Sequence, residues 1–96
     1  MSKGRILIID DEAIMREYVQ EALVRAGHEV ETASNGREGL EAIRRQSYDV
    51  VVTDLKMAPM DGLEVLRFLR KESPATRCII MTAYGTIETA IAALKE

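Results

Sequence analysis

Short apolar runs alternate with amphipathic stretches along the chain, and the two patterns predict different elements. Three runs are continuously apolar or β-branched, which is typical of strands buried on both faces of a sheet. A fourth run alternates, with Val30 as its most apolar member, and indicates a more exposed strand. The predicted strands are residues 5–9, 28–33, 50–53 and 78–81.

Each predicted strand is followed by a stretch whose apolar residues recur at helical spacing. Gly27 ends the first of these stretches, and Pro74 lies beyond the end of the third. Asn35 and Gly36 turn the chain into the second, and Thr86 is suited to cap the last. The residues with helical spacing are Met15, Tyr18, Val19, Ala22, Leu23 and Ala26; Leu40 and Ile43; Leu63, Leu66 and Leu69; and Ile87, Ala90, Ile91 and Leu94.

A strand-helix order repeated four times predicts an α/β domain with a parallel sheet, helices on both faces and right-handed crossovers. No linker or repeat divides the 96 residues, so we expect one domain over residues 1–96. We assume the flavodoxin-like, doubly wound strand order 2-1-3-4. In such sheets ligands bind beyond the carboxyl ends of the strands where the order reverses, which here lies between strands one and three.

The composition of the chain excludes several classes of protein. Apolar residues at 47 % and charged residues at 30 % are ordinary for a globular chain in water. No apolar run is long enough to span a bilayer, so we expect a cytoplasmic protein without a membrane partner. The net charge of −3 comes with 13 basic residues scattered along the chain, which argues against direct nucleic-acid binding. The single cysteine, Cys78, lies in an apolar run and is expected to be a buried small hydrophobe.

Acidic residues close two of the apolar strands. Asp10 and Asp11 follow residues 6–9, and Asp54 follows residues 50–53. If these strands are parallel neighbours, the carboxylates converge at one edge of the sheet, where they repel one another unless a cation joins them. The sequence therefore predicts a magnesium site at this edge.

Each of these acids also has an ordinary structural interpretation. Adjacent acids such as Asp10 and Asp11 commonly cap a following helix, and an aspartate such as Asp54 often only begins a turn. Taken singly, these structural roles explain the residues better than a function does. The convergence of all three at one crevice is what favours a functional site.

Four short motifs stand at or just beyond the predicted strand ends, in order along the whole chain. They are Ile8-Ile9-Asp10-Asp11-Glu12, Asp54-Leu55-Lys56-Met57, Met60-Asp61-Gly62 and Met81-Thr82-Ala83. Together they resemble the receiver domain of two-component response regulators, and several motifs at compatible spacing are far more specific than one. The segment 82–90 is similar to receivers of the nitrogen-regulatory type, which usually precede an ATPase domain that activates sigma-54 promoters.

The resemblance implies a phosphoryl-acceptor site. Receivers accept a phosphoryl group from a histidine kinase on the aspartate that ends the third strand, which is Asp54 here, and Mg²⁺ offsets the charge on the transferred oxygens. Mg²⁺ prefers oxygen ligands and commonly keeps some waters. We therefore expect Asp11 to bind the ion directly and Asp10 to act directly or through water. By analogy with the family, the main-chain carbonyl of Lys56 completes the protein ligands.

Two further residues would read the phosphoryl group. The resemblance implies that the Thr82 hydroxyl turns to hydrogen-bond a phosphoryl oxygen and that the Ala83 amide donates to it as well. The shifted surface would then switch an output domain or a partner protein, in transcriptional control. A domain of this kind assists its own phosphotransfer and dephosphorylation without being a classical enzyme.

The chain departs from the family pattern after Glu96. A receiver continues into a fifth strand, which carries a site lysine and a switch aromatic residue, and then a fifth helix. We therefore expect a receiver that is incomplete at its C-terminus, with the edge of the fourth strand open to pair with a second copy of the chain. A smaller departure is the position of Pro59, which comes one residue later than in most relatives.

Three other functions fit parts of the pattern. A phosphatase with an aspartyl nucleophile would need a second aspartate two residues after the first, where Lys56 stands. A flavin or nucleotide binder would need a glycine- or hydroxyl-rich phosphate loop after the first strand, where Asp11 and Glu12 would repel phosphate without a metal. The stronger alternative is a receiver-like interaction module that binds partners without phosphorylation, because the site lysine of the family has no counterpart here.

Overall fold

Strands and helices alternate through the part of the chain that the computed structural model describes, residues 4–55 and 60–81. The predicted last helix and its cap at Thr86 lie outside these residues. In chain order the elements are β1 (Arg5–Ile9), α1 (Ala13–Arg25), β2 (Glu29–Ala33), α2 (Gly36–Arg45), β3 (Val50–Asp54), α3 (Gly62–Glu72) and β4 (Arg77–Met81).

The four strands form one parallel sheet in the order β2-β1-β3-β4. This confirms the predicted α/β, flavodoxin-like architecture and the assumed strand order. In the central pair, Ile9 lies opposite Thr53, so the residue after β1 and the last residue of β3 reach the same edge of the sheet. On the other side of β3, Met81 lies opposite Asp54. The strand register thus places the acidic residues at the ends of β1 and β3 on the same edge of the sheet.

The position of β1 in the sheet explains why its residues 6–9 are continuously apolar. Leu7 and Ile9 point into the larger hydrophobic cluster, which α2 and α3 cover, whereas Ile6 and Ile8 point into the smaller cluster under α1. All four side chains are buried. A central strand with helices on both sides has no solvent face, so neither of its alternating positions can be polar.

Helix α1 contacts the sheet over a narrower strip than its apolar pattern suggests. Val19 and Leu23 pack on the smaller cluster, whereas Tyr18 is 72 % exposed and Met15 is also exposed. The six residues that the spacing singled out between Met15 and Ala26 form a stripe of about 140° at 100° per residue, and the exposed Ile14 and Val24 lie outside it. The sheet touches one side of that stripe, and Tyr18 lies at the other side.

Helix α3 turns a different face to the core than the leucine spacing predicts. Val65 and Leu69 are buried and Phe68 packs against the same cluster, whereas Leu63 and Leu66 are half-buried. The leucine pattern correctly included Leu69 and missed Val65. Apolar residues recur at helical spacing along more than one stripe of this helix. The sequence alone therefore does not show which stripe is buried.

Cys78 and His28 are both half-buried. Cys78 packs half-buried against the larger cluster, and burial raises the pKa of its thiol to about 11, so it stays protonated at neutral pH. This confirms a packing role. His28 is half-buried, and its Nδ1 is enclosed without a hydrogen-bond partner among the described residues. No helix in residues 4–55 and 60–81 has the length and apolar content to cross a bilayer.

Helix α3 begins in direct contact with the end of β3. The Gly62 amide donates to the Leu55 carbonyl at 2.9 Å, and a Cβ at Gly62 would lie 2.6 Å from the main-chain oxygen of Asp54. The neighbour is backbone and not the end of a flexible side chain, so the helix would have to move. Glycine at this position lets α3 lie against the strand that carries Asp54.

We predict that Gly62→Ala destabilises the fold by about 1–3 kcal/mol, because the added methyl overpacks the contact between α3 and β3. The measurement is the free energy of unfolding from a urea titration. Glu72→Ala, an exposed change at the other end of the same helix, should stay within about 0.5 kcal/mol of the parent. A Gly62→Ala protein as stable as the parent would contradict the close approach.

Candidate metal-binding site

Three carboxylates meet at the carboxyl edge of the central strand pair. Asp10 and Asp11 follow β1, and Asp54 is the last residue of β3. One carboxylate oxygen from each lies within 4.8 Å of the others. Asp10 is 2 % exposed, Asp54 is half-buried and Asp11 is exposed, so the cluster opens to solvent on the Asp11 side. The three acids that the sequence analysis singled out are thus brought together.

Asp10 is held by three contacts from three directions. Its amide donates to the carbonyl of Ala33 at the end of β2, at 3.1 Å. Its Oδ1 accepts the amide of Glu12 at 2.9 Å, and its main-chain oxygen accepts Nη1 of Arg16 at 2.8 Å. The bond from Glu12 is to the carboxylate itself, and buried carboxylates are tolerated when they are hydrogen-bonded. The direction of the Asp10 side chain is therefore set by the fold.

The structural interpretation of the adjacent acids is correct in one respect. Glu12 occupies the N-cap position of α1 without a capping bond from its own side chain, and the Asp10 carboxylate accepts the Glu12 amide instead. A carboxylate near a helix N-terminus is also favoured by the helix dipole. Asp10 therefore stabilises the start of α1 with Oδ1 and is in addition a member of the acidic cluster.

Asp54 is fixed through its main chain on both sides. Its partner across the sheet is Met81, and the next amide in the chain, that of Leu55, donates to the Met81 carbonyl at 3.0 Å. Oγ1 of the fully buried Thr53 donates to the Asp54 carbonyl at 3.1 Å. These bonds prevent the strand end from fraying, so the Asp54 carboxylate keeps its place beside Asp10 and Asp11.

The donor set suits a hard divalent cation. It consists of carboxylate oxygens, which Mg²⁺ and Ca²⁺ prefer, and in residues 4–55 and 60–81 no thiolate or imidazole of the kind that zinc favours joins them. Three negative charges at this distance repel one another, and a cation would offset that repulsion. The exposed side of the cluster leaves room for the waters that Mg²⁺ usually retains. The residues present therefore fit a magnesium ion.

Sequence reasoning missed Arg16, which lies in the first turns of α1 and is half-buried. Its guanidinium donates to the carbonyl of Asp10, and its charge also acts on Glu38 in α2. The pKa of Glu38 is lowered, chiefly by the hydrogen bonds with Ser34 and to a smaller extent by Arg16. A basic residue six positions after the first aspartate could have been noticed, but spacing alone does not reveal that it folds back onto the strand end.

A second feature that the sequence did not reveal is the close packing of α2 behind the site. A Cβ at Gly39 would overlap the Ile9 side chain, and Ile9 directly precedes Asp10. Glycine here lets the helix lie directly against the last residue of β1. The glycine is visible in the sequence, but its partner across the layer is not.

Three residues with predicted roles, Lys56, Thr82 and Ala83, lie outside the described residues. Their roles stay predictions. The described part of β4 ends at Met81, opposite Asp54, and Thr82 follows it in the chain.

Comparison with known proteins identifies close relatives. The response regulator receiver domain model matches residues 6–96. Transcriptional regulatory protein ZraR from Escherichia coli (strain K12) is 43% identical over 91 residues, which cover 94% of this chain and 20% of that protein. The DNA-binding transcriptional regulator NtrC from the same strain is 34% identical over 96 residues, which cover 100% of this chain and 20% of that protein. The chain thus spans about a fifth of the length of these relatives.

A solved structure agrees with the fold. The structure of response regulator protein TrrA from Thermotoga maritima, in complex with Mg(2+)-BeF, superposes on this chain with a TM-score of 0.87 at 36% sequence identity. The aligned region covers 98% of this chain and 80% of that chain. The presence of NtrC among the relatives agrees with the resemblance of segment 82–90 to nitrogen-regulatory receivers. Motifs, strand order and relatives all agree, and the chain belongs to the response regulator receiver domain family, whose members are signalling domains of two-component systems.

Proposed function

We propose that this chain is a phosphoryl-accepting switch in which Asp54 takes a phosphoryl group from a histidine kinase. The observation that carries the proposal is the position of the Asp54 carboxylate, which has an oxygen within 4.8 Å of oxygens from Asp10 and Asp11 at the carboxyl edge of β1 and β3. Such an edge is where parallel α/β sheets bind ligands. Asp54 is half-buried, so it is held in place and still reachable.

The chemistry needs a nucleophile and a means of lowering the negative charge around it. An oxygen of Asp54 attacks the phosphorus of a phosphohistidine, the phosphorus–nitrogen bond breaks, and the imidazole leaves with its electron pair and takes up a proton. The product is an acyl phosphate on Asp54. A bound Mg²⁺ supplies charge neutralisation at the transferred oxygens. The repulsion between three clustered carboxylates is the reason that such an ion is required here.

The ligands of the ion follow from burial and from the family pattern. Asp11 is exposed and can reach a hydrated ion directly, whereas Asp10 is buried, uses Oδ1 for the Glu12 amide and contributes directly or through water. Family resemblance supplies the carbonyl of Lys56 as a further ligand. It also supplies the roles of Thr82 and Ala83, which would hydrogen-bond the phosphoryl oxygens.

The output is a shift in population between two forms of the domain. A phosphoryl group on a side chain adds about −1.5 to −2 charge and three acceptor oxygens, which can draw a neighbouring hydroxyl and its loop toward it. Because the relatives are transcriptional regulators about five times longer than this chain, we propose that the switched surface acts on an output domain or partner protein in transcriptional control. The proposed compartment is the cytoplasm, where a histidine kinase would meet the domain.

A receiver-like interaction module that works without phosphorylation is the alternative function. It would use the same fold and would need neither Mg²⁺ nor Asp54. The clustering of three carboxylates at one strand edge favours the phosphoryl acceptor, because a simple binding module gains nothing from that repulsion. Measurements of phosphorylation and of metal binding distinguish the phosphoryl acceptor from the interaction module.

Phosphorylation is expected to depend on Asp54 and on magnesium. Incubated with acetyl phosphate and Mg²⁺, the parent chain should gain one phosphoryl group in its intact mass, because the Asp54 oxygen displaces acetate from phosphorus. Asp54→Asn and a sample without Mg²⁺ should gain none. Asp61→Asn is the matched control: it also changes a nearby aspartate, and asparagine still accepts the Glu64 amide at the start of α3.

Two outcomes would contradict the assignment. If the folded parent gains no phosphoryl group, the receiver-like interaction module becomes the better function. If Asp54→Asn gains the group as well as the parent does, another residue is the acceptor.

Magnesium binding is expected in the millimolar range, by family resemblance, and is best followed by NMR titration of the amide signals. Asp10→Asn keeps the acceptor for the Glu12 amide but removes a charge from the cluster, so the dissociation constant should rise about tenfold or more. Asp54→Asn should weaken binding similarly. Asp61→Asn should bind as the parent does, and equal affinity in all four proteins would mean that the cluster is not the metal site.

We further propose that the edge of β4 pairs with a second copy of this chain. Among the described residues β4 pairs on one side only, with β3, and Ile79 is 54 % exposed. A groove of about 1020 Å³ lies beside it, between β4 and α3, with apolar lining residues that include Leu66 and Ile80. An exposed apolar strand edge is a template for pairing with another chain.

Self-association should appear as a mass that rises from monomer toward dimer with concentration in light scattering. Ile79→Lys should shift the protein toward monomer, because charge at a strand edge opposes pairing. Val24→Lys changes an equally exposed apolar residue on α1 and should leave the mass unchanged. A monomeric mass at every concentration of the parent would rule out this dimer.

A further inference from the structure

We propose that Arg16 is a positioning residue for the metal site, which sets the affinity for Mg²⁺ by holding the peptide between Asp10 and Asp11. The inference rests on the proposed function, because it concerns how the same acidic cluster is kept in shape. Arg16 itself is not proposed as a ligand or as a group that touches the phosphoryl donor.

The contact is specific in its geometry. Nη1 of Arg16 donates to the main-chain oxygen of Asp10 at 2.8 Å, and the residue is half-buried. Its backbone already belongs to α1, where the Arg16 amide donates to the carbonyl of Glu12 at 3.0 Å. The side chain therefore joins a rigid helix to the end of β1, across the turn that contains both aspartates. A charged donor makes this a strong hydrogen bond.

The carbonyl to which Arg16 donates controls the direction in which the chain continues into Asp11. The oxygen of Asp10 belongs to the planar peptide that links Asp10 to Asp11, so a bond to it fixes the plane from which the Asp11 backbone continues. Ala33 holds the other side of Asp10 through the Asp10 amide. With both peptides of Asp10 held, Asp11 leaves the strand end in a direction that keeps its carboxylate near Asp54.

Position and charge predict opposite effects on metal binding. A guanidinium is a cation beside a proposed cation site, so by charge alone its removal would strengthen Mg²⁺ binding. If its main effect is to hold the peptide, removal lets Asp11 turn away and weakens binding. The half-buried hydrogen bond lies directly in the turn, whereas the charge is partly screened by water, so we expect the positional effect to dominate.

The test compares Arg16→Ala and Arg16→Lys with Arg25→Ala in the 96-residue chain. Arg25 lies on the same helix and forms an exposed ion pair with Glu21 at 2.8 Å, so its loss controls for removing an arginine from α1. Mg²⁺ affinity is measured by NMR titration. Arg16→Ala should raise the dissociation constant about tenfold, as expected for a residue that orients a ligand. Arg16→Lys, which keeps a cationic donor, should recover most of the affinity, and Arg25→Ala should match the parent.

A second readout uses no metal. In metal-free protein, Arg16→Ala should change the amide signals of Asp11 and Glu12 and speed hydrogen exchange at Glu12, whose amide bonds to Asp10. Thermal unfolding of each variant shows that it is folded at the temperature used. A residue that merely fastened α1 would lower the melting temperature and leave the Mg²⁺ affinity of the folded protein unchanged.

The outcomes separate this inference from the proposed function. If the parent binds Mg²⁺ and Arg16→Ala binds it equally well or more tightly, the positioning role is wrong and the phosphoryl-acceptor function is unaffected. If the parent itself binds no Mg²⁺, both are wrong. Weakened binding in Arg16→Ala without recovery in Arg16→Lys would also overturn the role, since it would point to general damage to the turn.

Discussion

The parallel pairing of β1 with β3 is the constraint on which the site depends. The two strands are more than forty residues apart in sequence, and β2 lies between them in the chain but not in the sheet. Their register places Ile9 opposite Thr53, so Asp10 and Asp54 emerge at the same edge. Three carboxylates then share a space in which like charges repel. The domain keeps that unfavourable arrangement because hydrophobic burial on both faces of the two strands determines where they lie.

The helices hold this edge by lying unusually close to it. Glycine at position 39 lets α2 pack against Ile9, and glycine at position 62 lets α3 begin against the main chain of Asp54. A Cβ at position 62 would meet the main chain of Asp54, and a Cβ at position 39 would overlap the Ile9 side chain, so both positions favour glycine. The acidic cluster thus sits at the ends of two strands that packed helices hold, which is how rigid scaffolds commonly present functional groups.

The connection that leads into β3 is built from different interactions. Tyr48, just before β3, is buried and donates to the carboxylate of Glu31, and Gln46 bonds to the same carboxylate. Burial, and then the hydrogen bond with Glu31, raises the pKa of the Tyr48 phenol, so it remains a donor at neutral pH. Here polar groups are paired with one another. At the carboxyl ends of β1 and β3 three carboxylates lie close together, and this is the edge at which we propose the phosphoryl-acceptor site.

The sequence by itself determined the order of elements, the four strands, the parallel α/β class and the three acids, because apolar runs and strand-end residues are local signals. It also carried the family motifs that the comparisons confirm. The strand order had to be assumed, since it depends on contacts between distant segments. Only the tertiary structure decided that Val65 and not Leu63 faces the core, that Tyr18 faces water, and that Arg16 reaches back to Asp10. A helical repeat states which residues share a stripe, but the neighbouring layer decides which stripe is buried and which side chain meets a strand end.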